Sequence, residues 1–556
     1  MKAIKHYLRF VLPTLLVAAV MMTSCSSGAS KEGAFIPKEA YFVATADLGA
    51  IWEKGELKKA KDLKTVKSIR NMIKQNSKDL DKIIGSILED PETSGLDFGK
   101  NLTMFAACPD HNTYFVVSAT MKDNEKFEAM FSKMKKADLL DYTKKADKKN
   151  GLKMMLLDDA SIVYNGDRVL MIASDRYERN DDKTDYAVEL FSLPSEDAIS
   201  SLSSFNDFWS ERHDAAIFIP YSSTSNMGGM YYSAASNTIF ESFLDSDELK
   251  QLEESGMYIA VAFEKGSIDV HSGACGVPEK LKKIANASFN SSLLDYMPEK
   301  TLAAATLAIN TDYIIELMES DKNTKKALKE KIGVKKYTVR DVLESIGGSA
   351  VVSFYGFDNN GMPLFAGALD IKNADIAKDL LKESGLRKQD GFYNADGIYI
   401  HLDKDVIVIS SDNKVVKKAA NGGYSNGMKA IASKAKKGNY IYVNLDIDKY
   451  PKEIKEQLKY MVDEEVINFL STFTHIEMSQ DGDEAIVQLF FKDDKTNSLS
   501  YLINKSDKLI AAEIEREEAR AREFRDYYTE DEYYNNNYDY GDSEPLVEEA
   551  YDEMYY

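Results

Sequence analysis

The feature that most constrains the fold of this chain is an internal repeat. Residues 160–175, with the sequence ASIVYNGDRVLMIASD, align without a gap with residues 397–412, GIYIHLDKDVIVISSD. Each segment consists of a short apolar strand, a polar turn, a second apolar strand and a final Ser-Asp pair. Because the side chains of such a pair accept hydrogen bonds from free backbone N–H groups, they favour the start of a helix. We therefore predict a hairpin that leads into a helix at both places.

Three further pairs of blocks keep the same order along the chain. They match residues 36–39 with 297–300, residues 115–123 with 365–373, and residues 215–221 with 440–445. Because four blocks in one order indicate a duplication, we interpret the chain as two tandem pseudo-repeats. The first covers residues 34–284 and the second covers residues 293–508, and the polar stretch 285–292 links them.

Both repeats alternate predicted hairpins with amphipathic helices. Apolar residues recur at helical spacing over residues 64–88, 374–381 and 454–470. Glycines at Gly266 and Gly482 predict the turn of a closing hairpin in each repeat. Hairpins mixed with helices predict an α+β fold, with an antiparallel or mixed sheet in each repeat and helices on one face.

The C-terminus has a different composition. Residues 509–525 predict a charged helix, in which Glu518 and Arg522 have the favourable i,i+4 spacing. Residues 526–556 are acidic and rich in tyrosine, with few aliphatic side chains to form a core, so we predict a disordered tail. One interpretation is a solubilising tail. The other is a recognition segment whose tyrosines contact a partner protein, namely Tyr533, Tyr534, Tyr538 and Tyr540.

The N-terminus has the pattern of a secretory signal. Three basic residues precede an apolar run over residues 10–22, which is shorter than the ~20 residues that cross a bilayer. The following Met-Thr-Ser-Cys sequence, ending at Cys25, resembles a bacterial lipobox. The resemblance implies cleavage after residue 24, acylation of Cys25 by chains such as palmitate, and a lipidated linker over residues 25–33. We therefore expect lipid on Cys25 to be the contact with a membrane.

The charge of the chain excludes two classes of partner. The formal net charge is −21, and such a surface repels nucleic acid and anionic lipid headgroups. We therefore predict no nucleic-acid binding and no membrane adhesion through a basic patch. The two cysteines beyond Cys25 are Cys108 and Cys275, which form either a disulfide or, as we favour, two separate thiols at strand ends.

No catalytic motif stands out in the sequence. The histidines are scattered, without a His-Glu-x-x-His pair, and there is no Gly-x-Ser-x-Gly elbow or Gly-x-Gly-x-x-Gly turn. Residues 95–100 resemble a phosphate loop but are one residue too short, so they predict a turn before a strand. Acidic residues at 358–361 and 446–448 lack the loop of an EF-hand, and the first predicts a hairpin turn. We predict no catalytic residue, no cofactor and no metal.

A ligand site is the main alternative to a purely structural body. Residues 222–237 form a polar loop in the first repeat that has no counterpart in the second, and it carries Tyr231 and Tyr232. Together with Trp209, these aromatic rings are candidates for contact with a glycan or a peptide. The simpler interpretation is a surface loop whose tyrosines pack on a helix.

The lipobox, the two proline-led strand blocks and the repeated Ser-Asp blocks together resemble a family of uncharacterised lipoproteins. The family occurs in Gram-negative gut and oral anaerobes and is classed as a domain of unknown function. The resemblance covers about residues 35–508, implies a cell-envelope location and a duplicated α+β body, and brings no catalytic residues. Ser26 after Cys25 favours the outer membrane, with the periplasmic side and the cell surface both left open.

These observations predict a lipid-anchored envelope protein of unknown molecular activity. The first hypothesis is a non-catalytic interaction or scaffold lipoprotein that binds another envelope protein. The alternative is a glycan- or peptide-binding lipoprotein that uses the loop at 222–237 and a cleft between the repeats. An enzyme whose site is not visible in the sequence is the third.

Overall fold

The computed structural model describes residues 29–535, apart from 110–111, 148–149, 175–179, 212, 227–242, 286, 333–335, 359–360, 387, 390, 425–427, 429–430, 432–433, 436–437, 462–463 and 482–483. The proposed signal peptide, Cys25, Tyr231, Tyr232, Tyr538 and Tyr540 lie outside the described residues.

The strands of the two parts form one large antiparallel sheet. The first part contributes β1 (Phe42–Ala46), β2 (Leu102–Ala107), β3 (Tyr114–Thr120), β4 (Thr143–Asp147), β5 (Leu152–Leu156), β6 (Ala160–Tyr164), β7 (Arg168–Ser174), β8 (Ala215–Pro220), β9 (Gly256–Phe263) and β10 (Ser267–Cys275). The second part contains β11 (Ala303–Ala308), β12 (Lys331–Ile332), β13 (Tyr337–Thr338), β14 (Ile346–Phe357), β15 (Pro363–Ile371), β16 (Lys388–Gln389), β17 (Phe392–Ala395), β18 (Ile398–Leu402), β19 (Val406–Ser410), β20 (Tyr440–Asn444), β21 (Phe473–Asp481) and β22 (Glu484–Phe491). Of these, β12 and β13 form a separate small sheet.

The strand order is the same on the two sides of the sheet. The first part runs β4-β5-β6-β7-β3-β2-β1-β8-β9-β10. The second continues from β10 as β22-β21-β20-β11-β14-β15-β19-β18-β17-β16. Read outward from the β10–β22 pair, each strand of one part therefore has a counterpart at the same position in the other.

The repeated sixteen-residue segments form hairpins, as their sequence predicts. They are β6–β7 in the first part and β18–β19 in the second. Asp412 caps the helix that follows the second hairpin, because its carboxylate accepts a hydrogen bond from the backbone N–H of Lys414 at 2.9 Å. The matching residue Asp175 lies outside the described residues, and the next helix begins at Asn180.

The α-helices connect the strands on both sides of the sheet. They are Ala29–Glu32, Leu48–Lys54, Lys64–Asn76, Lys78–Glu89, Asn124–Lys136, Asn180–Phe191, Ser203–Ser210, Tyr221–Asn226, Ser246–Glu253, Glu279–Ala285, Thr311–Ser320, Lys322–Ala327, Val339–Ser345, Ala374–Glu383, Asn413–Ala420, Lys452–Met461, Glu464–Leu470 and Ser498–Asn535. Short 3-10 turns occur at Leu57–Asp62, Pro91–Ser94, Ile199–Ser201, Ser291–Tyr296 and Ile447–Lys449. None of the helices in the described residues is both long enough and apolar enough to cross a bilayer.

Two buried cores lie on the same face of the sheet, which we call the core face. In the first part Val43, Phe105 and Phe218 belong to a core that the helices Asn180–Phe191 and Ser203–Ser210 cover. In the second part the corresponding core contains Ala304 and Val351, together with residues of the helix Asn413–Ala420. Directly paired residues share a face of a sheet, and the unbroken strand pairing from Val43 through β10–β22 to Val351 therefore places all five of these side chains on one side.

A third core packs against the opposite face, at the outer end of the first part. Leu102, Ala119 and Val169 belong to it, together with side chains of the helices Lys78–Glu89 and Asn124–Lys136. The prediction of helices on one face is therefore wrong for the first part. The reason lies in strands such as β6, in which every residue is buried, so that both faces need a cover.

Two predicted helical segments have different bounds in the structure. The pattern over residues 64–88 forms two helices, because Ser77 leaves the helical conformation and its hydroxyl accepts a hydrogen bond from the N–H of Leu80. The helix expected over 509–525 begins at Ser498 and ends at Asn535, so it includes the first ten residues of the predicted tail. It packs against the helices Leu48–Lys54 and Lys64–Asn76 of the first part.

Candidate functional site

The two parts of the chain meet where β10 pairs with β22, and we call β9, β10, β22 and β21 the seam. Six residues of β10 pair with six of β22, from Ser267 opposite Phe490 to Ser272 opposite Ala485. Val270 lies opposite Val487 in this ladder. The seam is therefore continuous sheet, and the two parts share their backbone hydrogen bonds.

A group of polar side chains occupies the core face of the seam. His271 Nδ1 lies 2.6 Å from Glu484 Oε1, and the Tyr258 hydroxyl donates a hydrogen bond to the same oxygen at 3.3 Å. The ring of His213 lies 5.7 Å from the ring of His271. We call His213, Tyr258, His271 and Glu484 the seam cluster.

The electrostatics of the seam cluster depend on how deeply each group is buried. The side chain of His213 is 10% exposed, and this burial lowers its pKa despite the opposing effect of the Glu211 carboxylate. His213 is therefore neutral at pH 7. Its Nε2 atom has no hydrogen-bond partner among the described residues. A carboxylate beside two imidazole rings and a tyrosine suits a ligand that carries both hydrogen-bond donors and acceptors.

A second set of polar groups near the seam is structural. Glu477 is 8% exposed and pairs with Lys434 and with His475 Nε2, which lies 3.3 Å away. Burial alone would raise the pKa of Glu477, but the hydrogen bonds from His475 and Lys434 outweigh it and lower this pKa to about 2. The carboxylate is therefore paired and ionised at neutral pH.

Neither a cluster of metal ligands nor a disulfide occurs among the described residues. No three His, Cys, Asp or Glu side chains within the described ranges are arranged to hold a metal ion. Cys108 follows β2 and Cys275 ends β10, and both are free thiols rather than a disulfide. Burial raises the pKa of Cys275 to about 11, so this thiol is protonated at neutral pH.

The second candidate surface is the face of the sheet opposite the core face, which we call the open face. Ile217, Ile259, Leu307 and Val352 define it, with exposed fractions of 43%, 52%, 48% and 49%. Further strand residues with apolar side chains at least 36% exposed lie on the same face, and they are Phe115, Met257, Ile398, Ile409 and Ile441.

The open face carries no charged side chain over fourteen neighbouring strands, from β3 to β18, and at its β3–β2 end the third core covers Ala119 and Leu102. Its positions on these strands are apolar, with the polar exceptions of Ser272, Thr474 and Gln480. The sequence contained a signal for this surface that our reasoning missed. Strands such as β8 (AAIFIP) and β11 (AAATLA) are apolar at successive positions, whereas a strand with one solvated face alternates.

A cleft of about 610 Å³ lies between residues 55–64 and the start of the helix Ser498–Asn535. In its wall Asp507 accepts hydrogen bonds from the backbone N–H groups of Lys64 at 3.0 Å and Thr65 at 2.8 Å. Asp507 thus caps a helix more than 400 residues away in the sequence, whose preceding residue, Leu63, provides no side-chain cap. This cleft is a packing junction between the final helix and the first part.

Comparison with known proteins places the chain in a family. A family model described as a domain of unknown function, DUF4836, matches residues 33–499. The chain belongs to the DUF4836 family. The resemblance of the sequence to a family of unknown function is thereby confirmed, and the lipoprotein character stays a prediction.

Solved structures similar to this DUF4836 chain are distant. Crystal form IV of a protein named TP0453 shares 10% identity at a TM-score of 0.23, and covers 44% of this chain and 83% of that protein. Crystal form I of TP0453 shares 9% identity at a TM-score of 0.19, with 70% and 97% covered. At these scores the superposition does not establish a common fold. No curated protein matches the chain.

The aromatic residues proposed as ligand contacts are only partly placed by the structure of the DUF4836 protein. Trp209 packs on Phe205 at 5.3 Å and on Phe208 at 6.4 Å between ring centroids, at the border of the first core. The predicted loop begins inside the short helix Tyr221–Asn226. Tyr533 and Tyr534 lie in the final helix. The structure adds the seam cluster and the open face, which bring together residues far apart in the sequence.

Proposed function

We propose that this protein is a non-catalytic lipoprotein of the bacterial outer membrane that binds a partner through the open face. The observation that supports the binding role is the extent of uncharged apolar surface outside the third core, on which nine side chains are at least 36% exposed. The largest apolar patch on a soluble monomer measures ~300–600 Å² and is often functional. A surface of this size is therefore best explained as a contact surface.

The anchoring part of the proposal depends on the N-terminal sequence. A basic start, a short apolar run and Cys25 after Met-Thr-Ser favour cleavage and acylation, and Ser26 favours the outer membrane. Acyl chains on Cys25 contribute ~0.8 kcal/mol of membrane affinity per buried methylene. Such an anchor would hold a protein with a net charge of −21 at the membrane without a contribution from a basic patch.

We further infer that the two parts arose by tandem duplication. The equal strand order on the two sides of β10–β22 supports this inference, together with the four sequence blocks that recur in one order. A duplicated body presents similar surfaces on both sides of the seam, which extends the open face without a break.

The second candidate function is the binding of a small polar ligand, such as a glycan or a peptide, at the seam cluster. The Nε2 of His213 forms no hydrogen bond among the described residues and lies 3.6 Å from Glu211 Oε2, and the neighbouring His271 contacts the Glu484 carboxylate, which together favour it. The cluster lies between the two cores of the core face, where a cleft between the repeats would lie.

Site-specific photo-crosslinking in living cells tests the binding role. A photoreactive amino acid replaces Val352 on the open face in one variant and Met461, which is 81% exposed on the helix Lys452–Met461, in the control. We expect a specific crosslinked product from position 352 and none from position 461. Equal or absent crosslinking at the two positions would overturn the proposed contact surface.

A further inference from the structure

We propose that the open face docks a second copy of this chain, so that two sheets pack face to face in a dimer. This inference rests on the proposed function, which makes the open face a contact surface. It goes further by naming the occupant.

The size of the open face suits a stable dimer. The third core partly covers β1 to β3, so the free stretch of the open face runs over eleven strands, from β8 to β18. At a spacing of ~4.8 Å these strands are roughly 50 Å wide, and three positions on one side of a strand span ~14 Å. The free stretch therefore measures roughly 700 Å², which is close to the ~800 Å² that each partner contributes to a standard interface. Smaller contacts between copies would not need a face of this width.

The distribution of charge favours a copy of the same chain. The chain carries a net charge of −21, so most approaches of two copies bring like charges together. Over the fourteen strands from β3 to β18 the open face has no charged side chain, and it is where two copies meet at the lowest electrostatic cost. Its backbone N–H and C=O groups are already used within the sheet, so contact through side chains is what it offers.

The side chains of the open face suit packing of sheet on sheet. Ile217 lies opposite Ile259 on the neighbouring strand, and Val352 lies opposite Ala305. Such aliphatic side chains interdigitate between two sheets ~10 Å apart. A membrane surface is the rival occupant, but proteins that lie on membranes surround the apolar residues with Lys and Arg that contact headgroups. The open-face positions contain no such residue.

The strand order gives the open face the symmetry that a two-fold dimer uses. Because the order is the same on both sides of the Val270–Val487 pair, the first part of one copy can face the second part of the other, and the reverse. The same contacts then form twice, as in an isologous interface.

Sedimentation analysis of the full chain tests the dimer, with Cys25→Ser to prevent acyl chains from forming micelles. We expect a dimer at micromolar concentration. Ile259→Glu and Val352→Glu should each raise the dissociation constant of the dimer at least tenfold. The control Met461→Glu changes an 81% exposed side chain outside the sheet and should leave the dimer intact. Circular dichroism and thermal melts show whether each variant is folded.

Three results would overturn the dimer. The first is that the wild type stays monomeric at all concentrations. The second is that the Ile259→Glu and Val352→Glu variants fold and still form the dimer. The third is that the protein is a monomer that floats with phosphatidylcholine vesicles. If a variant does not fold, a crosslinking experiment takes its place, in which isotopically light and heavy wild-type chains that carry photoreactive methionine are mixed. A dimer then requires crosslinks between light and heavy chains at Met257. A monomer whose position 352 still crosslinks another protein in cells would refute the dimer but leave the proposed function in place.

Discussion

Val270 of β10 lies directly opposite Val487 of β22. Read outward from this pair of strands, the order of corresponding strands is the same in the two parts. Both side chains point to the open face, so the apolar surface continues across the junction without interruption. The two parts are therefore one sheet with shared backbone hydrogen bonds. A ligand or partner that binds across this pair contacts both parts at once.

The glycine turn before β2 offers a sharp test of the local backbone. Gly95 has φ +83°, and a Cβ atom there would lie 2.4 Å from both the Asp123 carbonyl oxygen and the Phe127 amide nitrogen. Gly95→Ala should therefore lower the free energy of unfolding by more than ~1 kcal/mol. The control is Gly361→Ala, which has a similar φ of +78° but no atom within 4 Å of the added Cβ. Urea unfolding measures both, and an equal loss would show that steric contact is unimportant at Gly95.

The cap that Asp507 provides should contribute measurably to stability. Asp507→Ala leaves the N–H groups of Lys64 and Thr65 without their acceptor, so we expect a loss of ~0.5–2 kcal/mol in unfolding free energy. Glu513→Ala is the matched control, because Glu513 lies on the same helix and pairs only at the surface with Arg516. If the two variants have the same melting temperature in thermal melts, Asp507 does not have this role.

The carboxylate of Glu477 predicts a defined dependence of stability on pH. Its pKa is about 2 in the folded protein and 4.5 in the ordinary case, so the folded state binds fewer protons than the unfolded state between these values. Its contribution to stability is complete above pH 4.5 and is lost as the pH falls towards 2. The wild type should therefore exceed Glu477→Gln in unfolding free energy at pH 7, and by less at pH 3. A gap that stays constant between these pH values would refute this assignment.

The lipid anchor can be tested independently of the sheet. Cys25→Ser should abolish labelling by an alkyne analogue of palmitate and release the protein from the membrane fraction. Cys108→Ser, which changes a free thiol next to β2, should retain both the label and the membrane location. If Cys25→Ser keeps its label, the predicted acylation site is wrong.

The sequence predicted local hairpins well but not the sheet that unites them. The hairpins β6–β7 and β18–β19 depend on turns of a few polar residues, which the printed sequence displays. The pairing of β10 with β22 joins residues more than 200 positions apart, and each strand alone carries no signal for its distant partner.

The candidate surfaces were not predicted from the sequence for a related reason. His271 and Glu484 meet only because β10 and β22 are neighbours. The open face was missed because its strands are apolar at successive positions, a pattern that also fits strands covered on both sides. Such a strand leaves its second face undecided until the positions of the helices are known.

The most direct test of the account is oxidative footprinting of methionines in intact cells, because oxidation reports whether a side chain is covered. Met257 on the open face is 40% exposed in the single chain, and Met461 on the helix Lys452–Met461 is 81% exposed. The ratio of the two exposed fractions predicts that a bare Met257 is oxidised at about half the rate of Met461. If a partner covers the open face, the oxidation rate of Met257 should be at least several-fold lower than this, while Met461 is still oxidised. Oxidation of Met257 at about half the rate of Met461 would show a bare face and contradict the account.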